Sequence, residues 1–339
     1  MVKAFISGVA GQALTDAERK FLSDEKPYGV ILFARNIENP AQVKALTAEI
    51  KALLKHPYAE ILVDQEGGRV QRLKPPHWRK YPTAATLAAK DDAARAVYVN
   101  ARLIAEELRE VGITMDCAPV ADVLAPECHQ IIGDRAFGDT AAQVATLARA
   151  QSEALLDGGI LSILKHIPGH GRATQDSHET LPVVSAPLAE LEACDFAVFQ
   201  QLHDLPLAMT AHILYTALDA RDCATFSPVV MRYIREKIGF NGLIMSDDLS
   251  MKALGGSFAE RTIRSLDAGC DLVLHGNGAL IGEPVRDLMA ELREVAAASR
   301  PLSKESLART EAAAKQRRVP NPAEEGQLLG EWQSLVAAA

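Results

Sequence analysis

Several absences narrow the class of this protein before any motif is read. No run of about 18 apolar residues occurs, so a membrane-spanning helix is not expected. The N-terminus, MVKAFISGVAGQALTDAER, lacks the roughly 7–15-residue apolar core of a signal peptide, which points to the cytoplasm. Five cysteines fall at positions 117, 128, 194, 223 and 270, an odd count with no C-x-x-C pair. That argues against a disulfide framework and a structural zinc site, and suits a reducing compartment. There is no basic stretch: 36 Lys and Arg stand against 44 Asp and Glu, a net charge of −8, which disfavours nucleic acid as a partner. No G-x-G-x-x-G follows an apolar run, so a dinucleotide-binding fold has little support. No linker rich in Pro, Gly or Ser divides the chain, which reads as one domain.

What is present is a rhythm. Short apolar runs, GVILF (29–33), EILVD (60–64), ITMDC (113–117), ILSIL (160–164), PLAMTA (206–211), GLIMSD (242–247) and DLVLH (271–275), alternate with helix-like stretches. The stretches lie near 41–55, 91–110, 140–157, 188–203, 228–237, 258–268 and 279–298. The runs lack polar alternation, as strands buried on both faces of a parallel sheet do. A further short strand near Thr225 would bring the count to eight. Eight strand-then-helix units predict an α/β fold, a single (β/α)8 TIM-type barrel over 1–300, with a helical tail at 301–339 packed on it or trailing from it.

Polar residues cluster where these runs end: Asp64, Gln65 and Glu66; Asp116; Lys165 and His166; His212; Asp247 and Asp248; His275. In a barrel such strand ends converge on one face, where barrel active sites lie. A long loop, KHIPGHGRATQDSHETLP (165–182), adds His170, Asp176 and His178. As a metal site its H-x3-H-x7-H spacing matches no compact ligand pattern. As a plain surface loop it is unusually rich in catalytic residue types. As an acid–base pair, Asp176 and His178 are two apart and share one side of an extended segment, where a carboxylate orients an imidazole and raises its basicity.

Four motifs, KHIPGHG-x4-DSH (165–178), VDQEGGRVQR (63–72), IGDRAFG (132–138) and MSDDLSM (245–251), resemble those of the β-N-acetylglucosaminidases of glycoside hydrolase family 3. The likeness is to the short, single-domain bacterial form that recycles cell-wall muropeptides. It implies that Asp247 is the nucleophile, His178 the acid/base and Asp176 its partner. It further implies that Asp64, Arg72, Arg135, Lys165 and His166 hold the sugar. Ile167 departs from the family pattern, where an aromatic residue is common.

The chemistry fits these roles. A retaining glycosidase needs a carboxylate on one side of the anomeric carbon and a proton donor on the other. The implied reaction removes terminal β-linked N-acetylglucosamine from GlcNAc–1,6-anhydroMurNAc units, with or without peptide. Neither a metal nor an organic cofactor is implied, and a monomer acting on a small-molecule substrate, without nucleic acid or membrane, is expected. Two alternatives remain open: a phosphorylase using the same site, and a muropeptide-binding barrel without turnover. Asp248 is expected to support the site by hydrogen bonding.

Overall fold

A computed structural model describes residues 1–126, 129–177, 179–277 and 287–336. Eight parallel strands close into a barrel: β1 (Lys3–Ser7), β2 (Pro27–Leu32), β3 (Glu60–Val63), β4 (Met115–Asp116), β5 (Leu161–Ile167), β6 (Leu207–Thr210), β7 (Leu243–Asp248) and β8 (Leu272–His275). They follow one another around the ring in chain order, and β1 closes it by pairing with both β2 and β8. Phe5 lies opposite Val273 and Ser7 opposite His275. The fold is the expected (β/α)8 barrel.

The strands form where continuous apolar runs can be covered on both faces. Every residue of β2, β3 and β5 is buried. The surrounding helices bury one stripe each. The helix Ala93–Glu110 turns Val97, Val99, Leu103, Ile104 and Leu108 inward, and its neighbour Ala141–Asp157 turns Val144, Leu147, Ala148 and Leu155. Most begin at a polar cap. Asn39 caps Pro40–Leu54, Ser257 forms a capping box with Glu260 ahead of Phe258–Ala268, and Thr15 does so with Glu18 ahead of Asp16–Glu25.

The strand expected near Thr225 does not exist. Thr225 sits in a turn, where its hydroxyl bonds the Thr210 hydroxyl at 2.8 Å and His212 Nδ1 at 2.7 Å. The missing strand is β1, whose apolar core of three residues is cut short by Gly8. Gly8 is needed there: a Cβ would stand 2.6 Å from the Gly276 carbonyl oxygen. The stretch 188–203 breaks at Cys194 into two short helices, Leu188–Ala193 and Asp195–Gln201. The helix read over 228–237 continues beyond Tyr233 as a wider turn, Ile234–Ile238. Part of the stretch 279–298 lies outside the described residues, and its described helix is Leu288–Ala298.

Past the barrel, the helix Lys304–Gln316 packs against β7 and β5. Asp271 gathers it in, accepting from Ser306 Oγ at 2.7 Å, Arg309 Nη1 at 2.8 Å and Arg235 Nη2 at 2.7 Å. The helix Glu325–Leu335 docks through Trp332, whose Nε1 donates to Asn100 Oδ1 at 2.9 Å and whose ring meets Tyr81 edge-on at 6.2 Å. Among the described residues, no helix is long and apolar enough to cross a membrane.

Candidate active site

The floor of the mouth is a charged cluster on β3, β5 and the loops after them. Directly after Asp64, Gln65–Gly67 and Val70–Gln71 form a small hairpin. Its turn is Gly68–Arg69, entered through Gly67; Gly67 and Gly68 have φ of +103° and +57°, and a Cβ on Gly67 would sit 2.3 Å from the Pro82 carbonyl oxygen. The Gln65 side chain holds the return strand by accepting from Arg72 N at 2.8 Å and Leu73 N at 3.0 Å. This turn sets Asp64, Glu66 and Arg72 around one space.

Lys165 is their hub. Its side chain is 2% exposed, and Nζ lies 3.0 Å from Asp64 Oδ1 and 2.6 Å from Glu66 Oε1. Arg72 Nη2 donates to the other oxygen of Asp64 at 3.1 Å. Arg135, brought in by the turn Gly133–Arg135, grips Glu66 with Nε and Nη2, both at 2.8 Å. Burial pushes both carboxyls up, but the cations prevail. Lys165 and Arg72 hold Asp64 well below the usual carboxylate range, and Arg135 and Lys165 hold Glu66 at about 2. Burial would discharge Lys165, yet Glu66 and Asp64 keep its ammonium charged. Asp116, beneath them, has the opposite fate: burial pushes its carboxyl well up, against a bond from Gln65 N at 2.9 Å.

A second group surrounds Asp122, which is fully buried. Its Oδ2 lies 2.7 Å from His166 Nδ1, and its Oδ1 accepts from His170 N at 2.7 Å and His166 N at 3.2 Å. The pairing turns His166 Nε2 away from Asp122 and leaves it as the ring's second hydrogen-bonding atom. Despite burial, His166 and His170 hold the Asp122 carboxyl at about 2. Burial, reinforced by His166, lowers His170 to about 4, so its imidazole is neutral near pH 7. The two rings meet edge-on at 5.4 Å. His170 Nε2 then reaches Ser177 Oγ at 3.2 Å, and the Ser177 carbonyl accepts from Ala253 N at 3.2 Å.

Ala253 belongs to the loop after β7, the strand that ends in Asp247 and Asp248. The two acids point apart, as successive strand residues do. Asp247 is half-buried, and its Oδ1 accepts from Asp248 N at 2.7 Å. Asp248 binds backbone: Oδ1 accepts from Ser250 N at 2.9 Å, and its oxygens face Gly276 N at 3.4 and 3.3 Å. His212, from the end of β6, reaches the Asp248 carbonyl at 3.2 Å, and burial lowers its pKa against the pull of Asp247. His275 lies between two acids, with Nδ1 3.9 Å from Asp248 Oδ1 and Nε2 2.9 Å from Glu291 Oε2.

The structure thus brings Asp64, Arg72, Arg135 and Lys165 into one cluster, sets His166 in the adjoining one, and puts Asp247 at the end of β7. Asp176 lies half-buried in the long loop, its carbonyl accepting from Glu179 N and Thr180 N, both at 3.0 Å. His178 lies outside the described residues, as does Cys128. Glu66, Asp122 and His170 are the members of these networks that motif reading did not assign. Glu66 was legible as a strand-end acid, whereas Asp122, in a stretch of apolar residues, carried no such signal. Among the described residues, no group of three or more His, Cys, Asp or Glu side chains is arranged to hold a metal ion.

A floor of paired charges at the mouth of a parallel (β/α)8 barrel, facing an acid on β7, belongs to the class of barrel enzymes that bind polar substrates at the C-terminal ends of their strands. Residues 2–320 match the glycosyl hydrolase family 3 N terminal domain. The chain is 38% identical over 347 residues to a β-hexosaminidase of Chromobacterium violaceum, covering 95% of this chain and 96% of that protein. It resembles native NagZ from Neisseria gonorrhoeae with a TM-score of 0.81 and 35% identity, over 97% of this chain and 93% of that one. A structure of that NagZ with N-trifluoroacetyl-D-glucosamine gives a TM-score of 0.75 at 34% identity, over 93% of this chain and 98% of that one. The chain belongs to glycosyl hydrolase family 3, is a glycoside hydrolase, and falls in the family's β-hexosaminidase branch.

Proposed function

We propose that this chain is a retaining exo-β-N-acetylglucosaminidase that removes terminal β-linked GlcNAc from muropeptides, GlcNAc–1,6-anhydroMurNAc with or without its peptide, in cell-wall recycling. The observation that carries the reading is the tie between Ala253 and Ser177. It joins the loop of Asp176 and His178 to the loop that follows Asp247. That tie supports the reading, because a retaining glycosidase needs its nucleophile and its proton donor on opposite sides of the anomeric carbon.

In the first step an Asp247 carboxylate oxygen bonds the anomeric carbon, the glycosidic C–O bond breaks, and the departing oxygen takes a proton from His178. Asp176 orients that imidazole. In the second step the neutral imidazole takes a proton from water, whose oxygen attacks the anomeric carbon and releases Asp247. A neutral base adds no negative charge beside the glycosyl ester. The sugar hydroxyls face groups already fixed by their partners: Asp64 and Arg72, Lys165, Arg135 and His166. Such pre-ordered donors and acceptors orient the bond without reorganising. The likeness to a NagZ that binds an N-acylated glucosamine supports a sugar of this class. Among the described residues, Cys117, Cys194, Cys223 and Cys270 are free thiols, which is compatible with a reducing cytoplasm.

The test is covalent trapping with a slow, fluorinated N-acetylglucosaminide, followed by peptide mapping. A label on Asp247, with nitrophenol release from the acetamido sugar that is independent of phosphate, is the expected result. A label on Asp248, or formation of a sugar 1-phosphate, would overturn it.

A further inference from the structure

Ser177, in the 165–182 loop, is buried, 3% exposed, next to the half-buried Asp176. Thr174, Gln175, Glu179 and Thr180 around it face solvent. Its two polar groups look in different directions. The carbonyl accepts from Ala253 N, on the nucleophile's loop, and the hydroxyl meets His170 Nε2 at 3.2 Å. His170 is itself immobilised. It is 3% exposed, its N–H is held by Asp122, and its ring rests on that of His166. Its Nδ1 has no partner among the described residues, so the contact with Ser177 is the ring's one polar tether there.

We propose that Ser177 is a positioning residue: its hydroxyl latches the loop that carries Asp176 and His178 to the His170–Asp122–His166 network, and so restrains the chain beside the proton donor. The inference rests on the reading of His178 as the acid/base. Two contacts, each at 3.2 Å, make the latch, one through the backbone and one through the side chain. The backbone contact to Ala253 survives any side-chain change, while the hydroxyl contact can open. Opening it frees the chain next to His178 without disturbing Asp64, Lys165 or Asp247. A seated donor matters most for leaving groups that depart poorly without a proton, because general-acid help scales with leaving-group basicity.

The test compares kcat/KM for phenyl and 2,4-dinitrophenyl β-N-acetylglucosaminides in wild type, Ser177→Ala, His170→Phe, the double variant and His178→Ala. General-acid catalysis contributes roughly 10²–10⁴-fold, so His178→Ala should lose on that order with the phenyl sugar and far less with the dinitrophenyl sugar. Ser177→Ala should show the same selectivity at lower amplitude, roughly 10-fold against less than about 3-fold. The double variant should be no worse than the weaker single one, since both remove one bond. Should His170→Phe fail to fold, Ser177→Ala and its leaving-group dependence decide alone. Equal losses on both sugars, or none, while His178→Ala remains selective, would overturn the latch. If His178→Ala is itself unselective, the acid/base assignment falls, and the latch with it.

Discussion

Arg135 and Glu66 form a two-pronged ion pair, both N–H···O contacts at 2.8 Å, between side chains only 11% and 7% exposed. The pair joins two distant loops at the barrel mouth, and Lys165 completes it from β5. Breaking a buried pair from one side leaves the other charge stranded, at a cost of about 3–5 kcal/mol. Glu66→Gln should therefore lower stability by about that order, and lower affinity for N-acetylglucosamine by freeing Arg135 and Lys165. Arg135→Lys keeps the charge but loses the fork, and should recover only part of the loss. Chemical denaturation and inhibition by the free sugar measure the two effects.

The titrating groups predict a stability that falls on the acid side. Glu66 and Asp122 are held at about 2, below their ordinary values of 4.5 and 3.8. Folded, they bind protons more weakly than unfolded, so their contribution is full above the ordinary carboxylate range and is lost as pH falls towards 2. His170, lowered from 6.5 to about 4, has the same sign and begins to weigh against the fold as pH drops below 6.5. Thermal melts of wild type should decline in two stages, the upper between pH 6.5 and 4. In His170→Gln the upper stage should shrink while the lower persists.

Asp247 and Asp248, adjacent in sequence, should separate cleanly by mutation. Asp247→Asn should retain the fold and lose at least about 10³-fold in kcat, as expected for a nucleophile. Asp248→Asn keeps one acceptor oxygen for the N–H groups of Ser250 and Gly276, and should mainly lower stability, by about 1–3 kcal/mol. Thermal unfolding read beside turnover checks both. An Asp248 variant as inactive as the Asp247 variant, at full stability, would contradict the division.

Gly171 should tolerate no side chain. A Cβ would lie 1.7 Å from the Val123 carbonyl oxygen and 2.5 Å from its carbon, both main chain. The Gly171 carbonyl also accepts from Ala125 N at 3.1 Å. Gly171→Ala must push two backbone segments apart beside Asp122, and should cost about 1–3 kcal/mol with a marked loss of activity. Melting temperature and turnover on the nitrophenyl sugar measure it.

The architecture was legible because barrel strands are continuous apolar runs, and seven of the eight stood out in this way. The eighth, KAFIS, is flanked by a lysine and cut by a glycine, so its apolar signal is too short to stand out. The strand expected near Thr225 served to bring the count to eight, but the Thr225 hydroxyl is committed to Thr210 and His212 in a turn. At the mouth, polar strand ends marked Asp64, Lys165, His166 and Asp247. What they did not show is who pairs with whom. Lys165 is held between Asp64 and Glu66 from a strand roughly a hundred residues away, and Asp122 receives both histidines across more than forty. Such pairings are products of ring closure, and no local spacing encodes them.

The strand β1 has two neighbours at very different separations along the chain. Lys3 faces Pro27, whereas Phe5 faces Val273, and the same segment is bonded outside the ring by Arg300 and Leu302. One edge of the strand can zip early, as a local event. The other must wait until nearly the whole polypeptide has been gathered, because closing so large a loop carries a conformational entropy penalty that shorter loops avoid. The seam between β1 and β8 therefore carries the largest loop-closure cost of the ring. While that seam is open two strand edges are bare, and once it closes residues 300–302 add a further backbone tie to the N-terminal segment.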